Sequence, residues 1–277
     1  MDFVVWILFF ITAFGPPLWR FSHAFRYFLK MLVFYAIAGL VGLLTCFASL
    51  PWPCNVQNFK IVRKLFLSFT SIYGIDVEVR GRHNLKSDKP LVIVSNHQSS
   101  LDMIIMMVAF PERCTPLAKK SLLYAGPFGL AAWLCGVIFI DRFNPAKAHE
   151  TVDMVVDKVH SKNVKLWVFP EGTRHHESGM LTFKKGAFHI AVQAQVSLVP
   201  VVVSSYQPFY NKIERYWHHG GSVIVEVLPP ISVLNCDSSD VPDLADRCRA
   251  QMLTAYESIS VEAKARFDEN RVQTNTA

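Results

Sequence analysis

Residues 31–50 (MLVFYAIAGLVGLLTCFASL) are apolar without a single charge, a run which at ~1.5 Å per residue matches the ~30 Å hydrocarbon core of a bilayer. Arg20, Arg26 and Lys30 precede it, and Pro51-Trp52-Pro53 follows as a helix stop with an aromatic suited to a membrane interface. The alternative for this run is a buried core helix. A shorter apolar run, Phe3 to Phe14, leads to Gly15-Pro16-Pro17, where a break is predicted. It reads as a second hydrophobic helix, spanning or embedded. Because it opens with Asp2 and ends in Gly-Pro-Pro, it lacks the marks of a cleaved signal peptide. Residues 1–53 therefore read as two membrane-anchoring helices, and residues 54–277 as a domain closed by a C-terminal helix.

From Asn55 the spacing changes. Val56, Phe59, Val62, Phe66, Phe69 and Tyr73 recur at three- and four-residue steps, predicting an amphipathic helix that stops at Gly74. Ile75, Val77 and Val79 alternate with polar residues as a strand, and after the turn Gly81 to Lys89 the run Leu91 to Ser95 has the continuous apolar character of a buried parallel strand. Helices are predicted near Ser99–Ala109, Ser121–Leu134, Pro145–Ser161, Phe183–Gln195 and Val241–Phe267. Between them fall strands near Thr115–Ala118, Val137–Ile140, Lys165–Phe169, Leu198–Val203 and Val223–Leu228. This alternation predicts an α/β layered domain with a largely parallel central sheet.

Composition narrows the partners. Twenty-eight Lys and Arg against 22 Asp and Glu leave a net +6, which suits phosphates, membranes or nucleic acid. No nucleic-acid recognition module is apparent, and the hydrophobic runs supply a simpler anionic partner in the membrane. The six cysteines show no C-x-x-C pairing, and there is no N-x-S/T sequon, so a domain facing the cytosol is expected. Charge does not orient the hydrophobic pair, since Arg20, Arg26 and Lys30 balance Lys60, Arg63 and Lys64.

The chemistry gathers where apolar strands end. Leu91 to Val94 runs into Asn96-His97-Gln98-Ser99-Ser100-Leu101-Asp102, placing a histidine at a carboxyl end of the sheet, where α/β proteins bind ligands. Ser99-x-x-Asp102 has capping-box spacing, which turns the Asp102 carboxylate back towards His97. The pair can act as base and orienting carboxylate; the plainer alternative is a cap beside a satisfied loop histidine.

A second strand releases Phe169-Pro170-Glu171-Gly172-Thr173-Arg174, in which Gly172 permits close backbone approach and Arg174 offers a planar fork to a phosphate. Lys184 and Lys185 follow. The alternative is a solvated turn with a surface ion pair. Gly136 to Arg142 again ends a strand on arginine, and Lys119-Lys120 follows another. Their convergence predicts one anion-lined edge. There is no G-x-S-x-G elbow, P-loop or G-x-G-x-x-G, and the adjacent pairs His175-His176 and His218-His219 point apart along a chain, so no metal site is expected.

The segments NHQSSLD, GVIFIDR, FPEGTR and LVPVVV, in this order, resemble the four blocks of the 1-acylglycerol-3-phosphate acyltransferases. The likeness extends through FKKGAF and AVQAQV to their animal alpha and beta members, over roughly residues 55–260. It implies acyl transfer from acyl-CoA, a co-substrate rather than a cofactor, to the sn-2 hydroxyl of lysophosphatidic acid at the endoplasmic reticulum membrane. It further implies His97 as general base, Asp102 as its orienting partner, and Glu171, Gly172, Thr173 and Arg174, assisted by Arg142, as the glycerophosphate site. Backbone N–H groups near Lys119 or Gly172 are candidate oxyanion donors. Two other readings stay open: another acceptor such as glycerol 3-phosphate, or a noncatalytic lipid- or acyl-CoA-binding protein.

Overall fold

The computed structural model describes the backbone of residues 2–141 and 148–276. Helices α1 (Asp2–Phe21) and α2 (His23–Ser49) lead to α3 (Phe59–Tyr73). Strand β1 (Ile75–Arg80) and β2 (Val92–Ser95) come next, followed by α4 (Asp102–Ala109), β3 (Cys114–Lys119), α5 (Gly126–Leu134), β4 (Ile138–Ile140), α6 (Ala148–Ser161), β5 (Lys165–Val168), α7 (Gly186–Ala194) and β6 (Leu198–Val203). A short hairpin, β7 (Tyr210–Asn211) and β8 (Tyr216–Trp217), precedes β9 (Gly221–Val227) and the long α8 (Val241–Thr276).

The sheet order is β1-β9-β6-β2-β5-β3-β4. The strands β6, β2, β5, β3 and β4 run parallel, whereas β9 is antiparallel to β6 and carries β1 reversed beside it. Alternate residues feed opposite layers: Ile93 and Trp167 pack with α3 and α4, while Val92, Val94, Leu166 and Val168 pack with α6, α7 and α8. Strand β2 lies between β5 and β6, so its carboxyl end opens into the crevice where connections depart in opposite directions.

Helix α8 is fastened to the edge strand through Arg80, which donates to Glu262 at 2.6 and 2.8 Å, and Arg266, which donates to Glu78 and Glu262. Farther back along α8, Ser260 accepts the Ser205 N–H beyond β6 at 2.9 Å.

Two local expectations are corrected and one element is new. Helix α1 continues through Pro16 and Pro17 to Phe21. Proline's fixed φ lies within the helical range, so the pair removes two N–H donors without forcing the chain out of the helix. The break falls instead at Ser22, whose extended backbone and side-chain oxygen cap α2. The helix expected over Ser121–Leu134 is split into a 3₁₀ segment, Lys120–Tyr124, and α5, because Gly126 takes φ +56°. The hairpin β7–β8 had no counterpart in the pattern.

Among the described residues one helix, α2, is long and apolar enough to cross a membrane. It is not detached from the domain. Phe34, fully buried, meets Tyr73 and Trp217, which stack on each other at 5.8 Å, and Tyr27 packs on Tyr210. The opposite side of the helix exposes Leu32, Leu40, Leu43, Phe47 and Leu50. Residues on either side of position 53 thus share one hydrophobic core.

Candidate active site

The position of His97 follows from its two neighbours. Along the extended exit of β2, Asn96 and Gln98 point to one side and His97 to the other. Asn96 exchanges two hydrogen bonds with the backbone of Val203, donating to its carbonyl at 2.9 Å and accepting from its N–H at 2.8 Å, as a further ladder rung would. Gln98 donates to the carbonyls of Val203 and Ser204 and accepts from the Tyr206 N–H. Both amides sew the loop to the end of β6.

His97 consequently turns towards β5. Its ring stacks on Phe169 with centroids 4.1 Å apart and 22° between planes. Its N–H donates to Glu171 at 2.8 Å, and its carbonyl accepts the His175 N–H at 2.7 Å. Backbone and ring are therefore held on three sides.

The capping-box spacing produces the pair. Ser99 Oγ accepts the Leu101 N–H, and the Asp102 carboxylate reaches back to the N–H of Ser99 at 3.0 Å and of Gln98 at 2.8 Å. The regular helix starts at Asp102 rather than Ser99, the preceding turn being closed by i→i+3 bonds. The same oxygen, Oδ2, lies 2.6 Å from His97 Nδ1. Oδ1 accepts from the Tyr206 hydroxyl at 2.7 Å.

Four donors thus fix the carboxylate, which fixes Nδ1–H as the donor of the ring and leaves Nε2 as its basic nitrogen. The His97 side chain is 21% exposed against 5% for Asp102, so the imidazole alone has an open side. Burial, and next the Asp102 charge, push the Tyr206 phenol well above its ordinary range, which keeps it protonated and a donor.

Glu171 points into the protein. It is buried, and its two oxygens accept the His97 and Leu181 N–H groups, each at 2.8 Å. It clamps the loop after β5 against the histidine. Burial raises the Glu171 pKa, opposed by those two backbone donors.

Gly172 closes the turn with φ +71° and its N–H on the Phe169 carbonyl, so that N–H is already engaged and is not a ready oxyanion donor. A Cβ at this glycine would meet the Lys184 side chain at 2.9 Å; the missing methyl is what lets that lysine lie over the turn. Thr173 and Arg174 are exposed on the same loop, with Arg174 next in sequence to His175, which bonds to His97. Lys119, Lys120, Lys184 and Lys185 are likewise exposed at carboxyl ends of the sheet or just beyond. Arg142 lies outside the described residues.

Tyr206, Phe169 and His176 belong to this site and were not singled out by spacing. His176 Nδ1 lies 2.9 Å from the Gln98 carbonyl, and Lys212 Nζ lies 3.2 Å from Nε2. Burial and then Lys212 lower the pKa of His176, which favours the neutral ring that donates to the carbonyl and accepts from lysine. The available signal for Tyr206 was its place three residues beyond an apolar strand, the same pattern that marks His97.

A family model described as Acyltransferase matches residues 76–204, which hold the end of β2, the β5 loop and β6. The chain is 47% identical over 245 residues to 1-acyl-sn-glycerol-3-phosphate acyltransferase alpha of Mus musculus, covering 88% of this chain and 86% of that protein. It is 39% identical over 241 residues to the human 1-acyl-sn-glycerol-3-phosphate acyltransferase beta, covering 86% of each. In fold it is similar to the crystal structure of the 1-acyl-sn-glycerophosphate acyltransferase of Thermotoga maritima, with TM-score 0.62 and 24% identity over 83% of this chain and 98% of that one.

Proposed function

Because the chain belongs to the 1-acyl-sn-glycerol-3-phosphate acyltransferases, we propose that it moves a fatty acyl group from acyl-CoA to the sn-2 hydroxyl of lysophosphatidic acid, with His97 as general base. The observation that carries this reading is the 2.6 Å contact of His97 Nδ1 with a carboxylate that three further donors immobilise. His97 Nε2 takes the hydroxyl proton as that oxygen attacks the thioester carbonyl. The tetrahedral intermediate collapses by breaking the C–S bond, and the departing thiolate recovers the proton from the imidazolium. Phosphatidic acid and CoA result, without an acyl-enzyme. General-base catalysis of this kind contributes about 10²–10⁴-fold, and alignment of two bound substrates adds to it.

Thr173 and Arg174 receive the acceptor phosphate, with Lys184 beside them over Gly172. A guanidinium engages two phosphate oxygens at once, and the neighbouring lysines raise the local potential for both anionic substrates. Glu171 serves this site as a positioning residue. The enzyme works on the endoplasmic reticulum membrane, held there by α2, with its His97 edge towards the cytosol where acyl-CoA is made. Free thiols at all six cysteines and the absence of an N-x-S/T sequon support that side.

The test is incubation of the purified full-length protein in detergent with labelled oleoyl-CoA and a panel of acceptors. Lysophosphatidic acid is expected to be acylated in preference to glycerol 3-phosphate, and His97→Ala to lose at least a hundredfold in turnover while still binding acyl-CoA. Turnover by His97→Ala within tenfold of the parent refutes the general-base mechanism. Acyl-CoA binding without product from any acceptor favours a binding protein.

A further inference from the structure

Residues 121–140 carry no charge and lie between Lys119-Lys120 and Asp141-Arg142, so by composition this stretch also resembles a membrane span. The fold gives it a different form. Strands β3 and β4 at its two ends are parallel neighbours, pairing Leu117 with Ile138 and Lys119 with Ile140. Its helix α5 has 9 residues, about 13.5 Å at 1.5 Å per residue, under half of a ~30 Å core. The stretch is therefore a crossover that leaves the sheet and returns to it, and it cannot span.

Its side chains nonetheless face outward as a spanning helix's would. Tyr124 is 78% exposed, Leu130 48% and Trp133 43%. Leu130 and Trp133 are three apart and share a helix face, while Ala131 and Leu134 face inward and Gly129 is covered by the Leu122 and Leu123 carbonyls. This face continues that of α2. The place a Cβ would take on Gly42 is 3.2 Å from the Phe128 backbone, Cys46 Sγ donates to the Pro127 carbonyl at 3.4 Å, and Cys46 clusters with Ala131 and Leu134. The two helices thus pack directly, and beyond the contact both present uncharged apolar side chains to the outside.

We infer that α5 and the turn before it form a second membrane-contacting element, which dips into the acyl-chain layer of one leaflet without crossing it. The inference rests on the placement of α2 in the membrane proposed above. A lipid occupant fits on three counts: the face is uncharged, it is continuous with the apolar outer face of α2, and it is edged by Tyr124, Trp133 and the exposed lysines 119 and 120. Aromatic rings suit the interfacial layer and lysines suit its phosphates. Because Lys119 ends β3 and Lys120 follows it, this arrangement brings the edge that bears His97 down to the headgroups. An acceptor could then offer its hydroxyl without leaving the leaflet.

The test uses full-length protein reconstituted into phosphatidylcholine vesicles with or without acyl chains dibrominated at carbons 6 and 7, which quench tryptophan on contact. The emission of Trp133 is taken as the difference between the parent and Trp133→Phe; that of Trp52, exposed just past α2, as the difference from Trp52→Phe. Brominated lipid is expected to cut both at least twofold. Quenching of Trp52 with Trp133 unchanged overturns the inference and leaves the membrane placement of α2 standing. Quenching of neither overturns that placement and the inference with it. A Trp133 that is unquenched in a dimer converted to monomer by Leu130→Glu overturns the inference in favour of a contact with a second copy of this chain.

Discussion

Replacing Tyr206 by phenylalanine removes one oxygen from the site and leaves the ring in place. That oxygen donates 2.7 Å to Asp102 Oδ1 from a residue that is 3% exposed, so no water readily takes over. A hydrogen bond to a charged group contributes about 1.5–3 kcal/mol, roughly 10- to 150-fold. Oδ2 keeps its bonds to the Gln98 and Ser99 N–H groups and to His97, so the carboxylate stays near its place and the loss should lie at the lower end, about tenfold in kcat. KM for acyl-CoA and for lysophosphatidic acid should stay within about twofold, because Tyr206 reaches the dyad and not a substrate. The assay is initial rates over a range of both substrate concentrations, for the parent and Tyr206→Phe. A tenfold loss carried by KM, or a kcat within twofold of the parent, would refute a role exerted through Asp102.

Arg174→Ala should raise KM for lysophosphatidic acid by about 10- to 150-fold, from the roughly 1.5–3 kcal/mol of a charge-assisted contact, and Arg174→Lys should recover only part for want of a fork. An equal loss with an acceptor lacking the phosphate would show that Arg174 supports the loop instead. For Glu171 the sign of the pH dependence follows from burial: its raised pKa contributes stability that is present below the ordinary glutamate range and is lost as pH rises through the raised value. Glu171→Gln removes that titration, so the Tm of the variant relative to the parent, followed in detergent, should climb from pH 4 to 7; a difference independent of pH contradicts the assignment.

The central strands β2 and β6 were legible because each is buried along its length and reads as an apolar run; β6 occupies Leu198–Val203 as its pattern predicted. The hairpin β7–β8 was not, since strands of two residues have no period. It is turned by Asn211, whose side-chain oxygen accepts from the Ile213 and Glu214 N–H groups. His97 and Asp102 could be paired on paper because a local cap brings them together. Tyr206 could not, because its approach to Asp102 depends on β6 lying beside β2, a neighbour relation that no spacing encodes. The direction of the Glu171 side chain was not legible either: it adjoins Gly172, Thr173 and Arg174 in sequence, while the turn sends it inward to two backbone donors.

The partners of α2 come late in the chain. Tyr27 faces Tyr210 across a separation of 183 residues, and Lys30 donates to the Trp217 carbonyl across 187. At roughly 5–20 residues per second of synthesis, the inner face of α2 waits about 10–40 s for the hairpin that covers it. During that interval Phe34 has Tyr73 of α3 but lacks Trp217, and Tyr27 and Met31 lack Tyr210; a bilayer holding α2 as proposed would shelter both faces of the helix. With α2 in the membrane as proposed, maturation would be a handover, in which one side of the helix exchanges lipid for Trp217 and Tyr210. The nascent enzyme would complete its fold at the membrane surface, with its oldest helix as the template.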